Sequence, residues 1–489
     1  MPDQDASRQI VIASNRGPIS FVRDEDDGEL VPTRGSGGLV TALTGALQAS
    51  GGLWIASAMT DEDREQAGRG RLAVSLDDAS YDVRYLAFDE EEYDGFYNGI
   101  SNTILWFLHH YLWDLPRTPR FDEGAERAWA AYVRVNEAFA GALHEEGRGS
   151  SDQTAYLVQD YHLSLVPAML RERQPDARIA HFSHIPFAGP SYFHILPSEM
   201  RQQVLAGLLG ADVVGFHAER WAENFLLACR TLPGARVDLR RRRVRWKGRQ
   251  VAVRVYPISI DVETLEHDAR EADVGRLRRE LIGKLDGRKL LLRVDRAELS
   301  KNILRGFQAF GIFLQRYPNW QGKVSFLAQL NPSREDVPGY GEYIEDCVAA
   351  ADGINERFGT ADWQPVEVML KDDFPHTLAA YRLYDVLLVN PVFDGMNLVA
   401  KEGPVLNRND GVLVLSENAG AFFELGDNAV VVNPFDLVAT AEAIRIGLEM
   451  DPAERSRRAK ALRRAVRRNR LARWVQAQLR DLDRATSRG

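Results

Sequence analysis

Two kinds of apolar pattern alternate along the chain. Short blocks such as Ile10-Val11-Ile12-Ala13, Val213-Val214-Gly215-Phe216, Leu290-Leu291-Leu292 and Val386-Leu387-Leu388-Val389 have the length and branching of strands buried on both faces. Longer stretches between them, including residues 39–47, 121–143 and 474–479, carry apolar residues compatible with helices. Strand and helix in alternation predict parallel sheets of the doubly wound α/β class. The alternation breaks at the Pro-bearing bend around Pro257 and restarts with the strand at Lys289. This predicts two Rossmann-like domains, residues 1–257 and 258–473, with a C-terminal helix over 474–489 expected to pack back on the first. Ligands of such sheets gather at the carboxyl ends of strands, so a cleft between the two domains is expected to hold the chemistry.

The strand ends are where the polar residues fall. Residues 385–402 read DVLLVNPVFDGMNLVAKE: a buried strand, a turn containing Gly395, and a helix-compatible stretch from Met396 to Glu402. The N–H groups at such a helix start favour phosphate, whereas Asp394 and Glu402 suit sugar hydroxyls. An ordinary strand-to-helix turn with solvated acids is the competing reading. Arg296 and Lys301 flank the loop after the Lys289 strand, where both could aim cations at that phosphate or simply form surface ion pairs. In the first half, Arg16 follows the first strand, and Asp160 and His184 end two strands expected to lie close in one sheet. Tyr97 and Trp106 have the flat amphipathic rings that sugar clefts use, whereas Phe96, Leu105, Phe107 and Leu108 read as core. The cluster Gly35 to Gly38 lacks dinucleotide-fingerprint spacing and suits a turn as well as a ligand contact.

Composition narrows the partners. With 61 basic and 70 acidic residues the formal charge is −9, which disfavours nucleic acid as the main partner. The arginine-rich stretch 236–253 reads as a solvated edge hairpin, and the basic run 455–473 as one solvated helical face. The two cysteines, Cys229 and Cys347, form no CxxC pattern and read as reduced, and no export signal or membrane span is visible, which together lead to a cytoplasmic expectation. No paired-aspartate metal motif is present, and neither metal nor cofactor is expected.

Several motifs together carry a resemblance: SNRGP at Ser14, GGL at Gly37, YNGISNTILW at Tyr97, YVRVN at Tyr132, QDYH at Gln159, HIPF at His184, YPISID at Tyr256, PSREDV at Pro332, DGMNLVAKE at Asp394 and VLSENAGA at Val414. From about Ile10 to Leu479 the chain resembles the retaining trehalose-6-phosphate synthases, glycosyltransferases of the GT-B architecture, in which two Rossmann-like doubly wound domains face each other across a cleft. The resemblance implies glucose transfer from a nucleotide diphosphate glucose to glucose 6-phosphate. It implies that Arg296 and Lys301 hold the donor diphosphate, with N–H groups near Asn397, Leu398 and Val399. Glu402 would bind the donor ribose and Asp394 the donor glucose, and Gly37, Gly38, Gly395 and Met396 would line the donor. Arg16 and Arg334 would grip the acceptor phosphate beside Tyr97, with Trp106, Asp160 and His184 around the sugars. The partners implied are these two substrates, and a homo-oligomer is left open.

Departures point to alternatives. The usual HDYH is QDYH here, LDYSKG is AELSKN over 297–302, HIPFP ends at Ala188, and Ser57 stands where a second tryptophan is common. Asn331 before Pro332, and EGPVLN from Glu402, resemble the validamycin-type pseudo-glycosyltransferases, which use a GDP-linked cyclitol. An amide at Asn331 could read a purine edge, which favours GDP-glucose over UDP-glucose as donor. A pseudo-glycosyltransferase coupling a cyclitol to an amino-cyclitol phosphate is the first alternative, and a non-catalytic sugar-phosphate sensor the second.

Overall fold

The computed structural model describes residues 9–24, 28–35, 40, 43, 44, 47, 52–76, 79–147, 154–333 and 339–486. The chain forms two compact units, residues 1–257 together with 471–489, and residues 258–470. The second is thus a contiguous insertion in the first. The division falls between Arg470 and Leu471 rather than after Arg473, because the last helix, Leu471–Thr486, already buries Leu471, Trp474 and Val475 in the first unit.

The first unit is built on a ten-stranded sheet. Its parallel core runs, in spatial order, Arg249–Val255, Val213–Phe216, Arg178–Ser183, Ala155–Gln159, Ile10–Ser14, Leu53–Ser57 and Ala79–Leu86. Antiparallel strands finish both edges: Arg71–Leu76 on one side, Arg243–Trp246 and then Arg236–Asp238 on the other. The Ile10–Ser14, Leu53–Ser57 and Ala155–Gln159 strands are buried at every position, as their unbroken apolar runs require. The stretch 39–47 predicted to be helical, with the glycines before it, lies mostly outside the described residues, and Ile19–Arg23 pairs with Leu30–Arg34 in an antiparallel hairpin.

The second unit carries a six-stranded parallel sheet in the order Val366–Leu370, Val324–Asn331, Lys289–Arg296, Val386–Val389, Val412–Ser416, Val430–Val432. The strand order reverses at the Lys289–Arg296 and Val386–Val389 pair, so the loops leaving their carboxyl ends diverge to opposite faces and leave a crevice. The helix Ile303–Arg316 covers one face. Its buried residues Ile303, Phe307, Phe310, Phe313 and Leu314 follow the helical period, and Phe307 and Phe310 meet Phe326 of the sheet edge-on at 5.4 and 5.2 Å. Each fully buried ring contributes roughly 1.5–3 kcal/mol, and Val324, Leu388 and Ile444 extend the same core. Both cysteines are buried and unpaired. Among the described residues no helix is long and apolar enough to cross a membrane.

The basic stretch near the end of the chain is not one solvated face. It is split at Asn469 and Arg470 between the helix Pro452–Arg468 and the last helix. Arg455 and Arg463 turn inward, Arg455 to Asp385 at 3.4 Å and Arg463 to Asp410 at 2.9 Å, which leaves them mostly covered.

Candidate active site

In the second unit the site grows from a buried arginine. Arg293 lies inside the Lys289–Arg296 strand with no solvent exposure, a position tolerable only if every donor is used. Its Nε donates to Asp295 Oδ2 at 2.9 Å, and Nη2 donates to the carbonyl of Lys301 at 2.9 Å and, at close range, to Asn390 Oδ1. Nη1 reaches the carbonyls of Asn302 and Ile303 at 3.4 and 3.3 Å. Gly306 makes room, since a Cβ there would lie 2.2 Å from Nη1. One guanidinium therefore gathers the loop that carries Lys301. Asn302, in the left-handed region at φ 61°, completes the turn by donating to the carbonyls of Asn390 and Pro434. Burial holds the Asp295 carboxyl above its ordinary range, opposed by the Arg293 charge.

Lys301 Nζ donates to Asp394 Oδ2 at 2.5 Å, with both side chains mostly covered. Asp394 also accepts from the Met396 N–H at 3.3 Å and from Asn397 Nδ2 at 3.1 Å. The helix after this turn spans Val399–Leu406, three residues later than the sequence pattern suggested, because Asn397 takes φ 74° and cannot join a right-handed helix. Its Oδ1 accepts from Ala400 N–H at 3.2 Å, and the N–H groups of Lys401 and Glu402 bond to the carbonyl of Leu398. Leu398 and Val399 therefore supply the helix's uncapped donors. The neighbouring turn approaches so closely that a Cβ on Gly420 would lie 1.9 Å from the Gly395 carbonyl oxygen. Glu402 accepts from Tyr381 OH at 3.0 Å, and its carboxyl is raised by burial, which the tyrosine bond opposes.

Arg296 stands slightly apart, half-exposed, with Nη1 2.8 Å from Oε1 of the buried Glu298, which also accepts from Ser333 Oγ at 2.9 Å. Asn331 ends the adjacent strand in register with Arg296. Its Nδ2 donates to Asp372 at 3.3 Å, while its buried Oδ1 has no partner. Next to Glu402, Lys401 is fully buried. Its Nζ donates at 2.6 Å to both the Ile258 carbonyl and Glu424 Oε1, while Asn469 donates to Glu424 Oε2 at 2.9 Å. Desolvation lowers the Lys401 ammonium and Glu424 counters it.

In the first unit the polar strand ends are mostly neutral. Asp160 has φ 73° and ψ 170°, a conformation tolerated by glycine and strained for aspartate. It is held by its N–H to the Phe182 carbonyl at 2.7 Å and by Oδ1 accepting from the His184 N–H at 3.0 Å. His184 Nε2 meets Gln159 Oε1 at 3.0 Å, so the amide fixes the proton on Nε2 and leaves Nδ1 as an acceptor. The His184 ring packs near Phe182, His217 and Trp474, and burial followed by His217 and His181 keeps it far below its usual range, hence neutral. Arg16 is exposed at the end of the first strand, where Ser14 and Trp54 pin the turn: Trp54 Nε1 donates to Ser14 Oγ, and Ser14 Oγ to the Arg16 carbonyl at 2.7 Å. Asn15 bonds Ser57 at 2.8 Å and Tyr93 at 3.2 Å.

Tyr97 belongs to an eleven-residue π-helix, Gly95–Leu105, a form rare in proteins and frequent at functional sites. Its ring stacks between Tyr93 at 5.5 Å and His162 at 5.9 Å. Trp106, read above as sugar-facing, is 5% exposed and lies on His110 at 3.9 Å. Phe96, Leu105 and Leu108 are buried as expected, with Phe107 partly so.

The second sheet thus brings together Lys301, Asp394, Gly395, Met396, Asn397, Leu398, Val399 and Glu402, with Arg296 and Asn331 at the neighbouring strand ends. The first brings together Asp160 and His184, and separately Arg16 and Tyr97 around Tyr93. Gly37, Gly38 and Arg334 lie outside the described residues. Sequence reasoning overlooked Arg293, Asn390, Glu298 and Tyr381. The signal for Arg293 was present, since a lone arginine inside an aliphatic strand must find buried acceptors. Among the described residues no group of His, Cys, Asp and Glu could hold a metal ion.

A doubly wound sheet with the helix Val399–Leu406 after its switch-point strand, preceded in the chain by a second Rossmann-like unit, is the GT-B architecture. Residues 8–484 match the model of glycosyltransferase family 20, and the chain belongs to that family. It is 35% identical over 479 residues to the validamine 7-phosphate valienyltransferase of Streptomyces hygroscopicus subsp. jinggangensis, covering 96% of this chain and 93% of the relative. To a trehalose-6-phosphate synthase of Mycobacterium sp. (strain KMS) it is 37% identical over 480 residues, covering 96% and 94%. The crystal structure of a UDP-forming α,α-trehalose-phosphate synthase from Burkholderia xenovorans in complex with glucose 6-phosphate superposes with a TM-score of 0.81 at 28% identity, covering 97% and 100%.

Proposed function

We propose that this glycosyltransferase moves glucose from a nucleotide diphosphate glucose to the anomeric hydroxyl of glucose 6-phosphate, giving α,α-trehalose 6-phosphate with retention at the donor carbon. The observation that carries the reading is the cluster in which Lys301, Asp394 and Asn397 meet at the uncapped start of the Val399–Leu406 helix. Lys301, Arg296 and the Leu398 and Val399 N–H groups take the diphosphate. Asp394 accepts glucose hydroxyls and Glu402 the ribose hydroxyls. In the first unit Arg16, with Arg334 and Tyr97, holds the acceptor phosphate, while Asp160, neutral His184 and Trp106 position the sugars.

In the transfer, the bond from glucose C1 to the phosphate oxygen breaks and a bond from C1 to the acceptor oxygen forms on the same face. The acceptor's proton passes to the departing phosphate oxygen, and the nucleoside diphosphate leaves. Negative charge grows on that oxygen, so Lys301 and Arg296 act most strongly in the transition state. His184, held neutral, donates and accepts hydrogen bonds without serving as an acid.

GDP-glucose is the favoured donor, because the Asn331 side-chain amide, at the strand end in register with Arg296, is of the chemistry that reads a purine edge. The test is turnover with GDP-glucose, UDP-glucose and ADP-glucose in the presence of glucose 6-phosphate. Trehalose 6-phosphate formed fastest from GDP-glucose is expected; equal rates remove the Asn331 argument, and no product from any donor removes the whole assignment. The kinship with the valienyltransferase supports a second reading, coupling of a GDP-linked cyclitol to an amino-cyclitol phosphate. A coupled product from those substrates, with none from glucose 6-phosphate, would establish it.

A further inference from the structure

Eight arginines lie between positions 236 and 254, and their pairing is uneven. Arg242 bonds Glu219 at 2.8 Å, Arg249 bonds Asp212 at 2.5 Å, Arg254 lies 3.6 Å from Asp481, and Arg241 lies 3.3 Å from Asp238. Arg236, Arg243 and Arg245 form no ion pair among the described residues, and neither does Arg240, which is exposed at the turn. Those first three share a single place. In the antiparallel ribbon Arg236 is directly opposite Arg245, which is opposite Gln250, and Asp238 is opposite Arg243. All five therefore project from the same face, while Val244 and Val251 on the other face are buried. With Arg241 they line a cavity of about 390 Å³ at the edge of the first sheet.

Two guanidiniums directly opposite each other repel, which destabilises a strand pair. Edge protection alone does not account for this, since single charges or mixed signs would guard the strand without repulsion. Four arginines and one aspartate leave the cavity with a net charge of +3, by four minus one, in a chain whose formal charge is −9. A phosphate group carries about −1.5 to −2 at neutral pH. One phosphate leaves the cavity positive, and two bring it near neutrality.

We propose that this cavity is a further anion site, distinct from the sugar-transfer residues, that binds a small molecule carrying two phosphate groups. The guanidinium forks of Arg236 and Arg245 clasp one phosphate and those of Arg243 and Arg241 the other, with Gln250 donating at the rim. The concavity matches a small ligand, and its volume falls at the lower end of small-molecule sites.

The test is calorimetric titration of the full chain at low ionic strength with inorganic pyrophosphate and, separately, orthophosphate. Pyrophosphate binding by the parent is expected to include one event lost in R236Q/R245Q and another lost in K301A, with affinity at the ribbon falling about tenfold or more in the double variant. R243Q should weaken the same event, basal sugar transfer should be unchanged in all three ribbon substitutions, and R236Q/R245Q, which removes the opposed pair, should not lower thermal melting. Titration of R236Q/R245Q and R243Q identical to the parent overturns the proposal, as does orthophosphate binding at the ribbon as tightly as pyrophosphate. Ribbon-dependent binding of an RNA oligomer without any of pyrophosphate also overturns it, in favour of a macromolecular surface. A parent that binds one pyrophosphate, lost only in R236Q/R245Q, leaves this site standing and removes the diphosphate role of Lys301 instead.

Discussion

At the carboxyl end of the first sheet the polar groups are neutral or strained: His184 stripped of charge by burial, an amide beside it, and Asp160 in a glycine-like conformation. At the end of the second sheet they are charges that already hold one another, Lys301 with Asp394, Arg296 with Glu298 and Arg293 with Asp295. The two ends are preorganised by different means. Around His184 the first is fixed by backbone geometry and ring packing rather than by ion pairs. The second is fixed by internal counterions; on the function proposed above, an incoming diphosphate would compete with Asp394 for Lys301.

Breaking the charged end should have the largest effect. Lys301→Ala is expected to lower kcat by about 10²–10³-fold with little change in the melting temperature, as measured by steady-state transfer assays; turnover within a few-fold of the parent would remove Lys301 from the transition state. Arg293→Ala should destabilise the second unit by roughly 3–5 kcal/mol in urea unfolding, because it leaves Asp295 and several carbonyls buried without donors. Arg293→Lys should rescue little, since one ammonium cannot span the same acceptors. If lysine restores full stability, the fork geometry is not what holds the loop.

The neutral end should respond differently. Asp160→Gly relieves backbone strain of about 1–3 kcal/mol while losing the bond to the His184 N–H, so net stability should move by no more than about 1 kcal/mol while turnover falls. A large loss of stability would mean that Asp160 is there for folding. The smallest effect is expected at Glu402, whose folded carboxyl is raised by burial. Below its unfolded value both states are protonated and no penalty exists; as pH rises through the folded value, the buried anion increasingly destabilises the fold. Glu402→Gln should therefore raise the melting temperature on the order of 2 °C at pH 8 and leave it unchanged at pH 4. The opposite pH order would place the carboxylate in a stabilising ion pair.

The strands and the Asp394 turn were legible because buried parallel strands are written as unbroken aliphatic runs, and a glycine at the end of one marks the turn into a helix. The late start of the Val399 helix was not, since the sequence around Asn397 is compatible with more than one backbone conformation; its side-chain bonds to Asp394 and Ala400 accompany the left-handed one. Asp160 is similar: QDYH contains no glycine, and its positive φ is imposed by the neighbouring strand through Phe182 and His184. The packing of Trp106 was not legible either, because an aromatic beside polar residues looks the same in sequence whether or not it stacks on a ring such as His110. The arginines of the 455–473 run failed for the same reason, since their acids, Asp385 and Asp410, are distant in sequence.

The insertion of one unit within the other fixes a schedule for synthesis. Trp474, which meets Phe182 at 4.8 Å, flanks His184 at 5.7 Å and donates to the Tyr256 carbonyl at 3.1 Å, leaves the ribosome only after all of residues 258–470. The nascent first unit must therefore wait, with the wall beside His184 missing, while the inserted unit is translated and is able to fold. A chain stalled just before Leu471 would carry all of the second unit and a first unit lacking that wall.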